Sequence, residues 1–250
     1  APDPNSLHFN ASNLAFAEKD LAIAATYTPW LRALGLQDVY LAYLTGYKQL
    51  NDLETIGFGL RYFSLGSIAF TDANGEDLGT GRPNEFEVTG AYARKLTDKF
   101  SASLSGKFIY SNLAAGQVVD GVVIEPGIAG AADIGFTYKS SVDVGGKESD
   151  LTLGLAITNI GSKITYTNSL NKDFLPANLG LGGAWTFDLD DYNTLTIAAD
   201  INKALVPTPR VKDDPLYDVD GDNIPDFKEQ SPISAVFSSF GDAPGGFTEE

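Results

Sequence analysis

The stretch Lys99-Phe100-Ser101-Ala102-Ser103-Leu104-Ser105-Gly106-Lys107-Phe108-Ile109-Tyr110 decides the fold class. Side chains along a strand alternate faces with period two. Phe100, Ala102, Leu104, Gly106, Phe108 and Tyr110 then share an apolar face, while Lys99, Ser101, Ser103, Ser105 and Lys107 share a small, polar one. In an outer-membrane barrel the apolar face meets lipid and the polar face meets the lumen.

The same phase recurs along the chain. Leu21, Ile23, Ala25 and Tyr27 oppose Ala22, Ala24, Thr26 and Thr28. Val39, Leu41 and Tyr43 open a second strand, which runs to about Lys48. Ile56, Phe58, Leu60 and Tyr62 begin a third, and Phe86, Val88, Gly90 and Tyr92 a fourth. Lys99 to Tyr110 is the fifth. Further strands follow around Ile134 to Tyr138, Leu151 to Ile157, Leu179 to Phe187 and Leu195 to Ile201, which predicts nine in all. Each is expected to run about nine to twelve residues, enough to cross a bilayer when tilted, which takes about 9–11, whereas strands of soluble proteins average about 5–6. Tyr27, Tyr62, Tyr92, Tyr110, Tyr138, Trp185 and Phe187 gather near strand ends on the apolar face, as an interfacial aromatic girdle requires. Links around Asn51-Asp52, Thr97-Asp98 and Asp190-Asp191 are short, and the link from Ser140 to Ser149 is intermediate. Those near Asp72 to Arg82, Asn112 to Ile128 and Asn159 to Ala177, and the segment after Asn202, are long. Short turns at one end and long loops at the other predict an all-β transmembrane antiparallel barrel with its long loops outside the cell. The expected division is an N-terminal segment or plug (1–19), barrel strands (20–202) and a long extracellular loop (203–250).

Composition excludes several alternatives. No run of about 18 apolar residues occurs, so no helix of this chain is expected to span a membrane. With no Cys there is neither a disulfide framework nor a thiolate metal site. The 17 basic and 33 acidic residues leave a net charge of −16, which opposes nucleic-acid binding, since phosphate contacts need Lys and Arg. The absence of an initiating Met predicts a chain that starts after processing or partway in. An odd strand number predicts further strands elsewhere to close the barrel, because open edges in lipid are costly.

The segment Asp218-Val-Asp220-Gly-Asp222-Asn-Ile224-Pro-Asp226-Phe-Lys-Glu229 carries carboxylates at positions one, three, five, nine and twelve of a loop. This is the spacing by which a tight loop wraps oxygen ligands around Ca²⁺, with Ile224 at position seven offering its backbone carbonyl. Position six, Gly in an EF-hand, is Asn223, which tolerates the left-handed conformation better than most residues. The run resembles thrombospondin type-3 and dockerin-like calcium loops, and Pro225 argues against a full flanking helix. The alternative is a solvated acidic loop.

A catalytic reading finds little. His8 is the only histidine and stands apart from any nucleophile elbow, so it is expected to be an interfacial or packing residue. No Gly-rich phosphate loop joins a strand to a helix. Arg61 and Lys107, with Glu87, Asp133 and Asp200, project to the lumen side, where they either form a salt-bridge network or line a passage. The expectation is a protein that is not an enzyme.

The opening run Pro4-Asn-Ser-Leu-His-Phe-Asn-Ala-Ser-Asn-Leu-Ala-Phe-Ala-Glu-Lys-Asp20 resembles the N-terminal segment of FadL-type barrels of Bacteroidota. Tyr27-Thr-Pro-Trp-Leu31, Leu41-Ala-Tyr-Leu44, Leu60-Arg-Tyr-Phe-Ser-Leu-Gly66, Phe70-Thr-Asp72, Pro83-Asn-Glu-Phe86 and Tyr92-Ala-Arg-Lys-Leu96 resemble the branch of that family that serves type IX secretion. The resemblance implies a barrel of about fourteen strands, of which this chain supplies the first nine. It also implies a shuttle in the outer membrane that receives the C-terminal domains of secreted cargo at the translocon barrel and passes them to a sortase-containing attachment complex. The alternative within the same fold is a transporter of small hydrophobic molecules, which the small, polar lumen-facing residues disfavour. Phe237, Phe240 and Phe247 in the last loop are either partner-facing anchors or residues that pack the loop onto the barrel rim.

Overall fold

A computed structural model describes residues 2–71, 74–119, 121–144, 147–167, 172–190 and 192–243. The chain begins with helix α1 (Ser6–Phe9) and a 3₁₀ segment (Ala11–Phe16). Strands β1 (Leu21–Pro29), β2 (Val39–Gln49) and β3 (Glu54–Leu65) follow. A small hairpin, β4 (Ile68–Thr71) and β5 (Asp77–Gly81), precedes β6 (Asn84–Lys95) and β7 (Phe100–Asn112). A second hairpin, β8 (Val118–Val119) and β9 (Val122–Val123), precedes β10 (Gly127–Val144) and β11 (Lys147–Gly161). Next come β12 (Asn178–Asp188), β13 (Thr194–Ala204) and two short helices, α2 (Asp226–Glu229) and α3 (Pro232–Ser238).

The nine long strands form one antiparallel sheet in the order β1-β2-β3-β6-β7-β10-β11-β12-β13. They are the nine strands expected from the alternation. The sheet is open, with β1 and β13 at its edges. No helix among the described residues is long and apolar enough to cross a membrane, and the crossing elements of a β-barrel are strands. The link between β10 and β11 is tighter than the intermediate one expected: the strands run to Val144 and resume at Lys147. Ser, Asp and Gly interrupt the apolar pattern there, which hides the strand ends in the sequence. The long links before β6 and β10 carry the two small hairpins.

Side-chain chemistry explains the tight turns. Asn51 Oδ1 accepts from the amides of Leu53 and Glu54 at 2.9 and 3.0 Å. Thr97 Oγ1 accepts from those of Lys99 and Phe100, and Asp190 Oδ1 from that of Tyr192. Each side chain mimics a turn of backbone and so closes its link in a few residues.

The two faces of the sheet invert the usual rule of burial. On β7, Leu104 is 59% exposed while Ser101, Ser103 and Ser105 are buried. Thr45, Thr55, Thr89 and Thr137 are buried on the same inner face, while Ile23, Phe58, Leu181 and Ile197 are exposed on the outer one. An exposed apolar face of this extent marks an interaction with something apolar. Aromatic side chains band that face. Tyr62 stands opposite Phe86, and Phe86 opposite Tyr110, at the long-loop end. Tyr92, Tyr138 and the stacked pair Trp185–Phe187 stand toward the short-turn end.

One strand departs from the expected phase. Pairing of Leu21 with Lys48, and of Tyr27 with Ala42, turns the even-numbered residues of β2 outward. Val39, Leu41 and Tyr43 therefore lie on the inner face with Thr45 and Tyr47.

The N-terminal segment covers the inner face. Leu7, Ala11, Leu14, Ala15 and Ala17 form a buried cluster with Tyr47, Ala91 and Ala93. A Cβ at position 57 would stand 3.0 Å from Leu7 and 3.2 Å from Leu14, so Gly57 is what admits both leucines. Polar contacts fix the register. Asn10 Nδ2 donates to the Phe136 carbonyl at 2.9 Å, Ser101 Oγ to the Ser12 carbonyl at 2.8 Å and Thr45 Oγ1 to the Pro4 carbonyl at 3.0 Å. Ser12 and Thr137 hydroxyls meet at 2.7 Å. Replacing Leu14 by Ala removes a fully buried side chain from this contact, and the expected loss is about 2–5 kcal/mol. The check is limited proteolysis of protein in lipid nanodiscs, with faster cleavage within 2–19 of Leu14→Ala and an unchanged rate in the strands.

Candidate functional site

Three regions carry the side chains that chemistry or recognition could use. The first is the charged interior. Lys107 Nζ lies 2.8 Å from Asp133 Oδ2 and donates at 2.8 Å to Asn159 Oδ1. Asp133 Oδ1 in turn accepts from the Asn159 amide at 2.7 Å. Both charged side chains are almost enclosed, so breaking the pair would leave a buried charge. Arg61 reaches Glu87 at 3.9 Å, stands over the Tyr43 ring at 5.3 Å and donates to His8 Nδ1. These four inner-face charges form two ion pairs, Lys107 with Asp133 and Arg61 with Glu87. Asp200 lies apart, on the Gly- and Ala-rich inner face of β12 and β13 beside Phe9. The ring of His8, an exposed residue, stands 4.7 Å from that of Phe9. Solvent reaches one side of that ring, yet burial of the other, and then the Arg61 and Lys107 charges, push the imidazole down to about 4.

The second region is the acidic loop. The carboxylates of Asp218, Asp220 and Asp222 lie within 4.8 Å of one another, as do those of Asp220, Asp226 and Glu229. Asp218 accepts from the amides of Gly221 and Asn223 at 2.8 and 3.0 Å, and Asp222 from that of Ile224 at 2.7 Å. Asn223 takes the left-handed conformation with φ 70°. Directly after Pro225 comes the single turn α2, which ends at Glu229. Desolvation, then the charges of Asp222, Asp220, Asp226 and Asp218, hold the Glu229 carboxyl above the usual carboxylate range. Lys228 ties this loop to the neighbouring one through Asp173 at 2.6 Å, and Lys163 donates to the Lys228 carbonyl.

The third region is α3. Ser231 caps it, its hydroxyl accepting from the Ser234 amide, and Pro232 occupies the first turn. Ala235 is buried, whereas Ile233, Phe237 and Phe240 form an exposed stripe, Phe237 at 74% and Phe240 at 50%. Phe240 touches Lys203 of β13 at 5.5 Å, and Phe237 packs on nothing comparable among the described residues. Phe247 lies outside the described residues.

The expectation of a uniformly small, polar inner face fails at the long-loop end. Trp30, Leu41, Phe63 and Ile109 wall a pocket of about 470 Å³ there, with Arg61, Glu85 and Glu87 on it. Its signal in the sequence was consecutive apolar residues, Tyr40-Leu41, Tyr62-Phe63 and Phe108-Ile109-Tyr110, where both faces of a strand are apolar at once.

Residues 1–211 match the family described as type IX secretion system protein PorV. The chain belongs to the PorV family. No curated protein matches the chain. Membership in the PorV family associates the chain with the type IX secretion machinery.

The His8 environment has a measurable consequence. Between about 4 and 6.5 the unfolded chain holds a proton on His8 that the folded chain does not. Stability therefore rises with pH across that window and levels off above it. Urea unfolding in detergent from pH 4 to 7 should give a shallower rise for His8→Gln than for the parent chain.

Proposed function

We propose that the sheet is wall of a FadL-type outer-membrane β-barrel, completed by strands that pair the open edges β1 and β13, with its long loops outside the cell. The observation that carries this reading is the inverted sheet: large apolar side chains exposed, small polar ones buried beneath a docked N-terminal segment. Open edges in lipid would leave backbone groups unsatisfied, which favours closure into a barrel. The N-terminal segment fills the interior of such a barrel below its long-loop end, so its recognition surfaces are the loops and that end. The protein acts as a shuttle for type IX secretion. Its loops capture the C-terminal domain of secreted cargo at the translocon barrel and hand it to a sortase-containing attachment complex. Phe237, Phe240 and Phe247 serve as partner-facing anchors, and the exposure of the first two supports this. The role is one of binding and transfer, without catalysis.

The acidic loop binds Ca²⁺ through Asp218, Asp220, Asp222, Asp226, Glu229 and the Ile224 carbonyl. The cation relieves the repulsion among these carboxylates, which adds to desolvation in raising the Glu229 pKa, and orders the loop. The carboxylate groupings and the left-handed Asn223 support this assignment. The transporter reading draws support from the inner-face pocket, but the N-terminal segment lies across the sheet's inner face below it.

Native purification from outer membranes in mild detergent, followed by mass spectrometry, tests the shuttle. Co-purification of a very large barrel and of proteins sharing a C-terminal domain is expected, and a lone barrel with bound lipid overturns the reading. Phe237→Ser with Phe240→Ser should reduce cargo capture at least tenfold while assembly, followed by heat-dependent gel mobility, is unchanged. Calorimetry should give a Ca²⁺ dissociation constant on the order of 10⁻⁴–10⁻³ M. Affinity should weaken as pH falls through the raised Glu229 pKa, because the protonated carboxyl is a poorer ligand, and Asp218→Asn with Asp220→Asn should abolish binding.

A further inference from the structure

The inner-face pocket at the long-loop end joins an apolar barrel of side chains to an excess of negative charge. Trp30, Leu41, Phe63 and Ile109 supply the walls. Trp30 is held at the entrance by its amide, which donates to the Val39 carbonyl at 2.9 Å, and its ring meets Phe63 edge-on at 6.3 Å. Two carboxylates and one guanidinium share the space. Arg61 is already engaged, with His8 Nδ1, the Tyr43 face and, more distantly, Glu87. Glu85 accepts a hydrogen bond from Ser111 Oγ, and among the described residues no Lys or Arg forms an ion pair with it. One negative charge in the pocket is therefore uncompensated.

We propose that this pocket receives a Lys or Arg side chain from the partner polypeptide, a reading that rests on the shuttle function and names a specificity contact for it. Charge complementarity selects the occupant. A carboxylate would meet Glu85 and Glu87 and is rejected, and a neutral apolar group leaves the acid without a counter-charge. Long basic side chains match both halves of the pocket, because their methylene stems cover apolar surface while the cationic head stays polar. Here the stem lies along Leu41, Phe63 and Ile109, the head reaches Glu85 and Glu87, and the Trp30 face adds a cation–π contact at the entrance. The volume of about 470 Å³ leaves ample room for such a side chain.

The test uses the full chain in lipid nanodiscs and three fluorescein-labelled tripeptides, Leu-Lys-Leu, Leu-norleucine-Leu and Leu-Glu-Leu, followed by anisotropy. The Lys peptide should bind at least tenfold more tightly than either other, and Glu85→Gln with Glu87→Gln should remove the preference. Should that double variant fail to assemble, Glu85→Gln alone serves, since the glutamine oxygen still accepts from Ser111. Equal or tighter binding of the Glu or norleucine peptide overturns the proposal, as does a Lys preference that survives in the variants. Cargo capture by the same proteins separates this inference from the function beneath it. A Lys preference in a protein that captures no cargo leaves the pocket standing and removes the shuttle.

Discussion

Leu7 and Leu14 reach the sheet because residue 57 has no side chain and residues 91 and 93 have only a methyl group. That close approach of the N-terminal segment to the inner face governs the rest of the molecule. Alternation puts small residues on one face, small residues let the segment lie flat, and the segment then satisfies buried hydroxyls at Thr45, Ser101 and Thr137. Without it those hydroxyls would lack their partners from Pro4 and Ser12. Were the inner residues larger, the segment would stand away and its leucines would be exposed.

The same arrangement explains why the interior can carry charge. Lys107 and Asp133 are enclosed yet paired, and Asn159, left-handed with φ 59°, joins them by side chain and amide. Arg61 sits nearer the long-loop end, where the covering segment finishes its contact through His8. Beyond that level the inner face changes character, from Ser, Thr, Gly and Ala to Leu41, Phe63 and Ile109. Occupied interior and open pocket are thus adjacent along the same strands.

The loops divide in the same way. The short turns are closed by their own Asn, Thr and Asp side chains and have little left to offer a partner. The long ones are built on one another: Lys228 grips Asp173, and Lys163 the Lys228 carbonyl, so the acidic loop is mounted on its neighbour. The exposed stripe of α3 is part of the same region. This surface is acidic and apolar together.

Alternation and link length determined the strand number and the division into short turns and long loops, because side-chain direction in a strand has a period of two. The spacing of the acidic residues and the turn at Asn223 were legible from the loop motif, since both are local properties of a few consecutive residues. Register lay beyond alternation. Whether Leu41 or Ala42 of β2 faces inward depends on which residue of β1 it pairs with, and a shift of one reverses every side chain. The inner pocket likewise needed four residues far apart in the chain, Trp30, Leu41, Phe63 and Ile109, to be brought to one level of the sheet. Tertiary structure decided that, because only pairing across the strands sets which side chains share a level.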